Sequence, residues 1–186
     1  PDPENINDDL RPYTGCTVWN NGRGYLFYTM RGSIDQGRRQ TIGLALSEDI
    51  YEWKRYSGNP VIVPDKKFYA SYGSPIANLL DCRDFIVIAS PDSQGWYGYY
   101  ATRIPGKELP ETSVIACVYS TDLIHWRHLR PAFAPEKYAV IEVPDVFELN
   151  GRWYMTCLTG VHYGNRGIFT DPNIREGTIY AVADNP

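Results

Sequence analysis

The chain has 186 residues, with 18 basic against 22 acidic side chains and a formal net charge of −4. Such a balance carries no cationic footprint for a polyanion, so nucleic acid is not an expected partner. No run approaches the ~20 apolar residues of a membrane-spanning helix, and the polar N-terminus lacks a signal-peptide pattern. No membrane partner is therefore expected, and the compartment stays open: cytoplasmic, or secreted or periplasmic if a leader has been removed. The length suits one domain. Hydrophobic residues make up 43% and charged residues 22%, an ordinary globular balance, but the aromatic share is 14%, with 15 Tyr and 5 Trp. Rings of this kind favour pleated sheets and offer flat faces to sugar rings.

Residues 1–12 are polar and proline-bearing, without periodicity, and look like a leading loop or a torn end. Strand patterns then follow at Cys16–Trp19 and Tyr25–Met30, joined by Asn21-Gly22, and at Thr41–Leu46 after the polar loop Ser33–Gln40. The next predicted strands are Pro75–Leu80 and Phe85–Ala89, with Asp81-Cys82-Arg83-Asp84 as the turn between them. Ser93–Thr102, with Trp96, Tyr97, Tyr99 and Tyr100 among glycines, reads as an aromatic loop that either stacks on a sugar or packs on the rim. Val114–Tyr119, Val143–Leu149, Arg152–Leu158 and Gly177–Ala183 complete the strands, with Asn150-Gly151 as a tight hairpin turn whose positions both accept φ > 0. No segment sustains a 3.6-residue apolar period, so the chain reads as almost all β. Cys16, Cys82, Cys117 and Cys157 are widely spaced, form no C-x-x-C pair, and suit small buried side chains better than a metal site or a disulfide framework. No cofactor is implied.

A repeat organises these strands. Gly43-Leu44-Ala45-Leu46-Ser47-Glu48-Asp49-Ile50-Tyr51-Glu52-Trp53 matches Ala116-Cys117-Val118-Tyr119-Ser120-Thr121-Asp122-Leu123-Ile124-His125-Trp126: an apolar strand, then Ser-x-Asp-apolar-x-x-Trp. Ser and Asp can bond nearby backbone to hold a turn, and the Trp can fold back over the strand end. A hairpin precedes the signature each time and recurs at Val146–Cys157. Four-stranded units at a constant period are blades of a β-propeller, here about residues 13–70, 71–140 and 141–186. A β-sandwich with coincidental turns explains two signatures matched in order less well. Propellers close with about four to eight blades, so this chain is expected to be part of a larger ring or to be completed by other segments.

Inner strands of a propeller converge on the central channel. Three places on them carry chemistry: Tyr13-Thr14-Gly15, Arg83-Asp84 and Glu142. Glu142 sits among Val, Ile and Pro, and a half-shielded carboxyl holds its proton more tightly than one in water, as a proton donor near neutral pH must. On that stretch alone an ordinary surface glutamate is the better reading. Two carboxylates from successive blades are what glycosidic cleavage needs, one to protonate the leaving oxygen and another to stabilise the cationic sugar carbon. Arg83 beside Asp84 would keep that aspartate ionised and so divide the two roles. Asp145, three residues beyond Glu142, faces the other way in an unbroken strand and reads as structural.

Thr14-Gly15-Cys16 ahead of Phe27-Tyr28-Thr29, then Arg83-Asp84, then Glu142-Val143-Pro144-Asp145, resembles the five-bladed propeller glycosidases of families 32, 43 and 68. Family 32, the invertase, inulinase and levanase group, is the nearest in order, with its W-S-G-S-like segment, R-D-P motif and E-C-P-D motif. The resemblance implies a retaining β-fructosidase or other furanosidase, with Glu142 as acid/base and Asp84 as transition-state stabiliser. It further implies a carbohydrate substrate, with Arg83 and Thr14 as candidate substrate-binding residues. Outside the resemblance, Trp96 in the aromatic loop and His162 after the third hairpin are candidates from their own residue types, against loop packing for the first and a structural role for the second. Phe85 stands where that family has the proline of R-D-P, and Val143 where it has the cysteine of E-C. Asp2-Pro3-Glu4-Asn5 only echoes the family's N-D-P-N-G nucleophile segment, so the nucleophile is expected upstream of residue 1. The alternatives are a family 43-like inverting arabinofuranosidase or xylosidase, and a non-catalytic sugar-binding propeller.

Overall fold

The computed structural model describes residues 10–70, 81–107, 111–160 and 176–186, and these hold eleven strands in three antiparallel sheets that follow one another along the chain. The first is β1 (Tyr13–Asn20), β2 (Arg23–Arg31), β3 (Gln40–Ser47) and β4 (Lys54–Arg55), paired in that order. The second repeats the pattern with β5 (Arg83–Ala89), β6 (Trp96–Arg103), β7 (Ser113–Ser120) and β8 (Arg127–His128). The third is β9 (Val140–Leu149), β10 (Arg152–Gly160) and β11 (Gly177–Ala183). β1 lies against β5 and β5 against β9, so the first strand of each sheet is the innermost. Successive up-and-down sheets joined at their inner strands are blades of a β-propeller.

Local chemistry sets the turns. Asn21 and Gly22 take φ of 49° and 77°, Asn150 and Gly151 take 53° and 75°, and these are the paired positive values of a type I′ hairpin. The Ser-Asp signatures are also built alike. The Ser47 hydroxyl accepts from the Ile50 N–H at 2.8 Å, and Asp49 Oδ1 accepts from the Tyr51 and Glu52 N–H groups at 2.9 Å each. Ser120 and Asp122 repeat this with Leu123, Ile124 and His125 at 2.9, 2.9 and 2.8 Å. Trp126 then folds back so that its ring meets Phe27 and Phe85 edge-on, at 5.7 and 5.2 Å between centroids.

The second sheet is buried on both faces, and this corrects one expectation. Alternate residues of β6 and β7 enter different cores: Tyr100, Val114, Ala116 and Val118 pack toward the first sheet, whereas Tyr99, Ala101, Ile115 and Cys117 pack toward the third. A strand covered on two sides has no polar face and loses the alternation that marks a half-buried strand. Residues 96–103 are therefore a central strand and not an aromatic loop. The second hairpin is β5–β6, closed at Ala89↔Trp96, and Arg83 and Asp84 lie within β5 and not in a turn. The strand expected over Pro75–Leu80 lies outside the described residues. Gly98 has no side chain because a Cβ there would come within 2.4 Å of the Phe85 ring.

Candidate active site

Each inner strand carries one extra residue at its mouth. The β1–β2 register skips between Tyr13 and Gly15, β5–β6 between Arg83 and Ile86, and β9–β10 opposite Glu142 to Asp145. Such bulges bend a strand and re-aim its side chains. Asp84 and Val143 sit in them at φ of 57° and 50°, a left-handed conformation that non-glycine residues rarely adopt and that is held here by surrounding contacts. Gly15 is required by the first bulge, since a Cβ there would lie 1.8 Å from the Phe27 carbonyl oxygen.

The three bulges meet at Asp84. Its Oδ1 accepts a hydrogen bond from the Thr14 hydroxyl, and its Oδ2 accepts from the Val143 N–H at 3.1 Å. Its own N–H donates to the Thr29 hydroxyl at 3.3 Å, which in turn donates to the Thr14 carbonyl at 3.0 Å. Asp84, only 7% exposed, is thus fixed by strands from both neighbouring sheets.

Arg83 occupies the centre of three carboxylates. Its Nε and Nη2 donate to Glu142 Oε2 at 3.2 and 3.0 Å, its Nη1 donates to Asp81 Oδ1 at 2.5 Å, and its Nε lies 3.6 Å from Asp84 Oδ2. Arg83 is thus beside Asp84 as expected, and it has two closer partners in Asp81 and Glu142. Glu142 is half-buried, as expected, and beside its carboxylate lies the Arg83 guanidinium. Ile141 and Pro144 turn into the core, and the Glu142 side chain is 37% exposed beside Arg83. Burial opposes the charge on Arg83, but Asp81, Glu142 and Asp84 outweigh it and hold the guanidinium protonated more firmly than usual.

Asp81 and Arg103 were not legible as site residues. Asp81 Oδ2 accepts from Arg103 Nε at 2.6 Å, and Arg103 also donates to the Thr112 hydroxyl at 2.7 Å and the Ala139 carbonyl at 2.9 Å. Burial would raise the Asp81 carboxyl, yet the charges of Arg83 and Arg103 hold it below the usual carboxylate range. One signal was available. An arginine closing the apolar run Tyr99–Thr102 implies a buried partner, because an unpaired buried cation is too costly.

The structure therefore brings Thr14, Arg83, Asp84 and Glu142 together. It does not bring in Trp96. That residue is at the opposite end of β6 from Ala101, the partner of Arg83, roughly 17 Å away at ~3.3 Å per residue, and packs on the core between the first and second sheets. His162 and Asp2 lie outside the described residues. Asp145 is the reverse of its expectation. The bulge makes Glu142 and Asp145 pair with Leu158 and Thr156, two residues apart on β10, so both carboxylates face the same exposed side.

The chain resembles the family 32 β-fructofuranosidase of Bombyx mori, with a TM-score of 0.65 and 21% identity over 93% of this chain and 34% of that one. It also resembles the inulosucrase of Halalkalicoccus jeotgali bound to kestose (TM-score 0.73, 19% identity, 98% and 50% covered). The levansucrase of Gluconacetobacter diazotrophicus matches with a TM-score of 0.70 and 14% identity, over 94% and 44%. The chain thus spans about a third to a half of the solved structures it matches. At these identities the likeness shows the fold, a β-propeller. Residues 2–184 match the model of the glycosyl hydrolases family 32 N-terminal domain, and the chain belongs to that glycoside hydrolase family.

Proposed function

We propose that the protein carrying this chain hydrolyses a β-fructoside or related furanoside with retention. Glu142 is the acid that protonates the leaving-group oxygen and the base that later activates water. Asp84 binds sugar hydroxyls and stabilises the oxocarbenium-like transition state, oriented by the Thr14 hydroxyl and the Val143 N–H. Arg83 holds the two carboxylates in a fixed relation. One observation carries the proposal: carboxylates from two sheets, Asp84 and Glu142, flank a single guanidinium at 3.6 and 3.0 Å. The family membership supports glycoside hydrolysis, and the likeness to a β-fructofuranosidase and to a kestose-bound inulosucrase supports a fructosyl substrate. The nucleophile of the retaining route is expected on a segment other than those described.

The test is Glu142→Gln in the full-length polypeptide, assayed on sucrose, inulin and an aryl arabinofuranoside, with the anomer of the first product read by NMR. The expected outcome is turnover on a fructoside with retention, and a fall in kcat on sucrose of about 10²–10⁴-fold for the variant. An unchanged rate on sucrose ends the assignment of Glu142. Turnover of the arabinofuranoside with inversion supports a family 43-like activity instead, and no turnover on any of the three supports a sugar-binding propeller.

A further inference from the structure

Behind the Arg83–Glu142 contact lies a second, fully buried charge pair that the proposed chemistry does not itself use. Arg103 is 2% exposed, and all three of its guanidinium nitrogens have partners: Asp81, the Thr112 hydroxyl and the Ala139 carbonyl. Asp81 uses one oxygen for Arg103 and the other for Arg83. Ala139 immediately precedes β9, and two residues later the Ile141 N–H donates to the Ser113 hydroxyl at 2.7 Å. The backbone leading to Glu142 is thereby anchored to β6 and β7, while its carboxylate is anchored through Arg83.

A long arginine side chain has several rotatable bonds, and one contact to a partly exposed carboxylate would not fix it. Asp81 is its closest other partner, at 2.5 Å against 3.4 Å for Gln40 and 3.6 Å for Asp84, and Arg103 keeps Asp81 from turning. A pair needed only for stability would be better replaced by apolar side chains, because burying two charges costs more than their attraction returns in many proteins. Such a pair is better explained by the direction it imposes on the third and fourth groups, Arg83 and Glu142.

We infer that Asp81 and Arg103 are positioning residues that set the Arg83 fork, and through it the Glu142 carboxyl, at the angle needed to protonate a leaving group. The inference rests on Glu142 being the acid of the proposed reaction. Proton donation matters for a poor leaving group and little for a good one. The measurement is therefore kcat/KM, which covers binding and glycosyl transfer but not the later hydrolysis, on sucrose and on a nitrophenyl β-fructofuranoside. The proteins are the full-length parent, Glu142→Gln, Asp81→Asn and Arg103→Lys.

Asp81→Asn removes one charge at constant shape and is expected to lower kcat/KM on sucrose by about 10–100-fold, as a misplacement of the order of 1 Å does, and on the nitrophenyl substrate by less than about 3-fold. Arg103→Lys keeps the charge against Asp81 but gives up the bonds to Thr112 and Ala139, and should show the same split at smaller size. If both variants fall evenly on the two substrates, keep the parent values, or both fail to fold, the pair is structural and the inference is overturned. If Glu142→Gln itself shows no split between substrates, the assignment of the acid fails first, and this is visible independently of the other two variants.

Discussion

At the residue scale the site depends on a glycine and two strained neighbours. Thr14 can reach Asp84 only because β1 approaches β2 so closely that a Cβ on Gly15 would overlap the Phe27 carbonyl oxygen. Gly15→Ala must push β1 away from β2 or open the bulge, and so withdraw the Thr14 hydroxyl. The expected result is a loss of about 2 kcal/mol or more in unfolding free energy, measured by denaturant titration, with a fall in activity beyond what stability explains. Asp84 and Val143 hold positive φ because their groups are committed across sheets, Asp84 to Thr14, Thr29 and Val143. Strain of this kind persists where neighbours over-determine it, which is why it appears at the mouth and not elsewhere on these inner strands. Phe85, which departs from the family's proline, spends its side chain on the core, edge-on to Phe27 at 5.2 Å and to Trp126 at 5.2 Å.

At the element scale the unit is a meander stopped by a Ser-Asp turn. In the second sheet, Ser120 accepts from the Asp122 and Leu123 N–H groups at 3.1 and 2.9 Å, and Leu123 reaches the core at φ of 64°. The turn is the mould for Trp126, whose ring seals the junction of the first two sheets against Phe27 and Phe85. Removing the acceptor leaves a buried N–H unpaired, so Ser120→Ala should cost about 1–2 kcal/mol, with Trp126 fluorescence shifting to longer wavelength in the folded state. Ser47→Ala acts on a turn whose Ile50 is exposed and should cost less. Equal losses at the two positions would show that the buried leucine does not matter to the turn.

At the scale of the whole molecule, titration couples the core to pH. His128 is packed among Tyr69 and Tyr100, and burial holds its imidazole below the ordinary value of 6.5. The unfolded chain therefore binds this proton first. Its contribution to stability is complete above pH 6.5 and declines as pH falls toward the folded value. Asp81 is lowered too, so its contribution is complete above 3.8 and fades below that. Unfolding free energy should thus fall in two stages on acidification, and His128→Gln should remove the first stage while leaving the second, as measured by urea titration at stepped pH. An unchanged first stage in that variant would assign it to another group. The outer face of the third sheet carries exposed Phe147, Leu149, Leu158, Tyr180 and Val182 on the same side as Glu142 and Asp145.

Much of this is local and was readable along the chain. The φ > 0 demand of a two-residue hairpin selects Asn-Gly, so the turns at 21–22 and 150–151 follow from those residues alone. The doubled Ser-x-Asp-apolar-x-x-Trp signature carries its own hydrogen bonds within six residues, and with it the repeated unit and the all-β class. Arg83, Asp84 and Glu142 stand out by type and order, and the structure brings these three side chains together. What only the tertiary structure decided is what depends on strands brought together from elsewhere in the chain. Residues 96–103 look like a loop until two cores cover them, because burial on both faces erases the period by which a strand is known. Asp145 joins the face of Glu142 through a bulge that no pattern of residue types announces. Asp81 and Arg103 stand 22 residues apart and Arg83 and Glu142 stand 59 apart. Such pairs are selected by the cost of leaving a buried charge alone, and that cost exists only once the chain has closed around them.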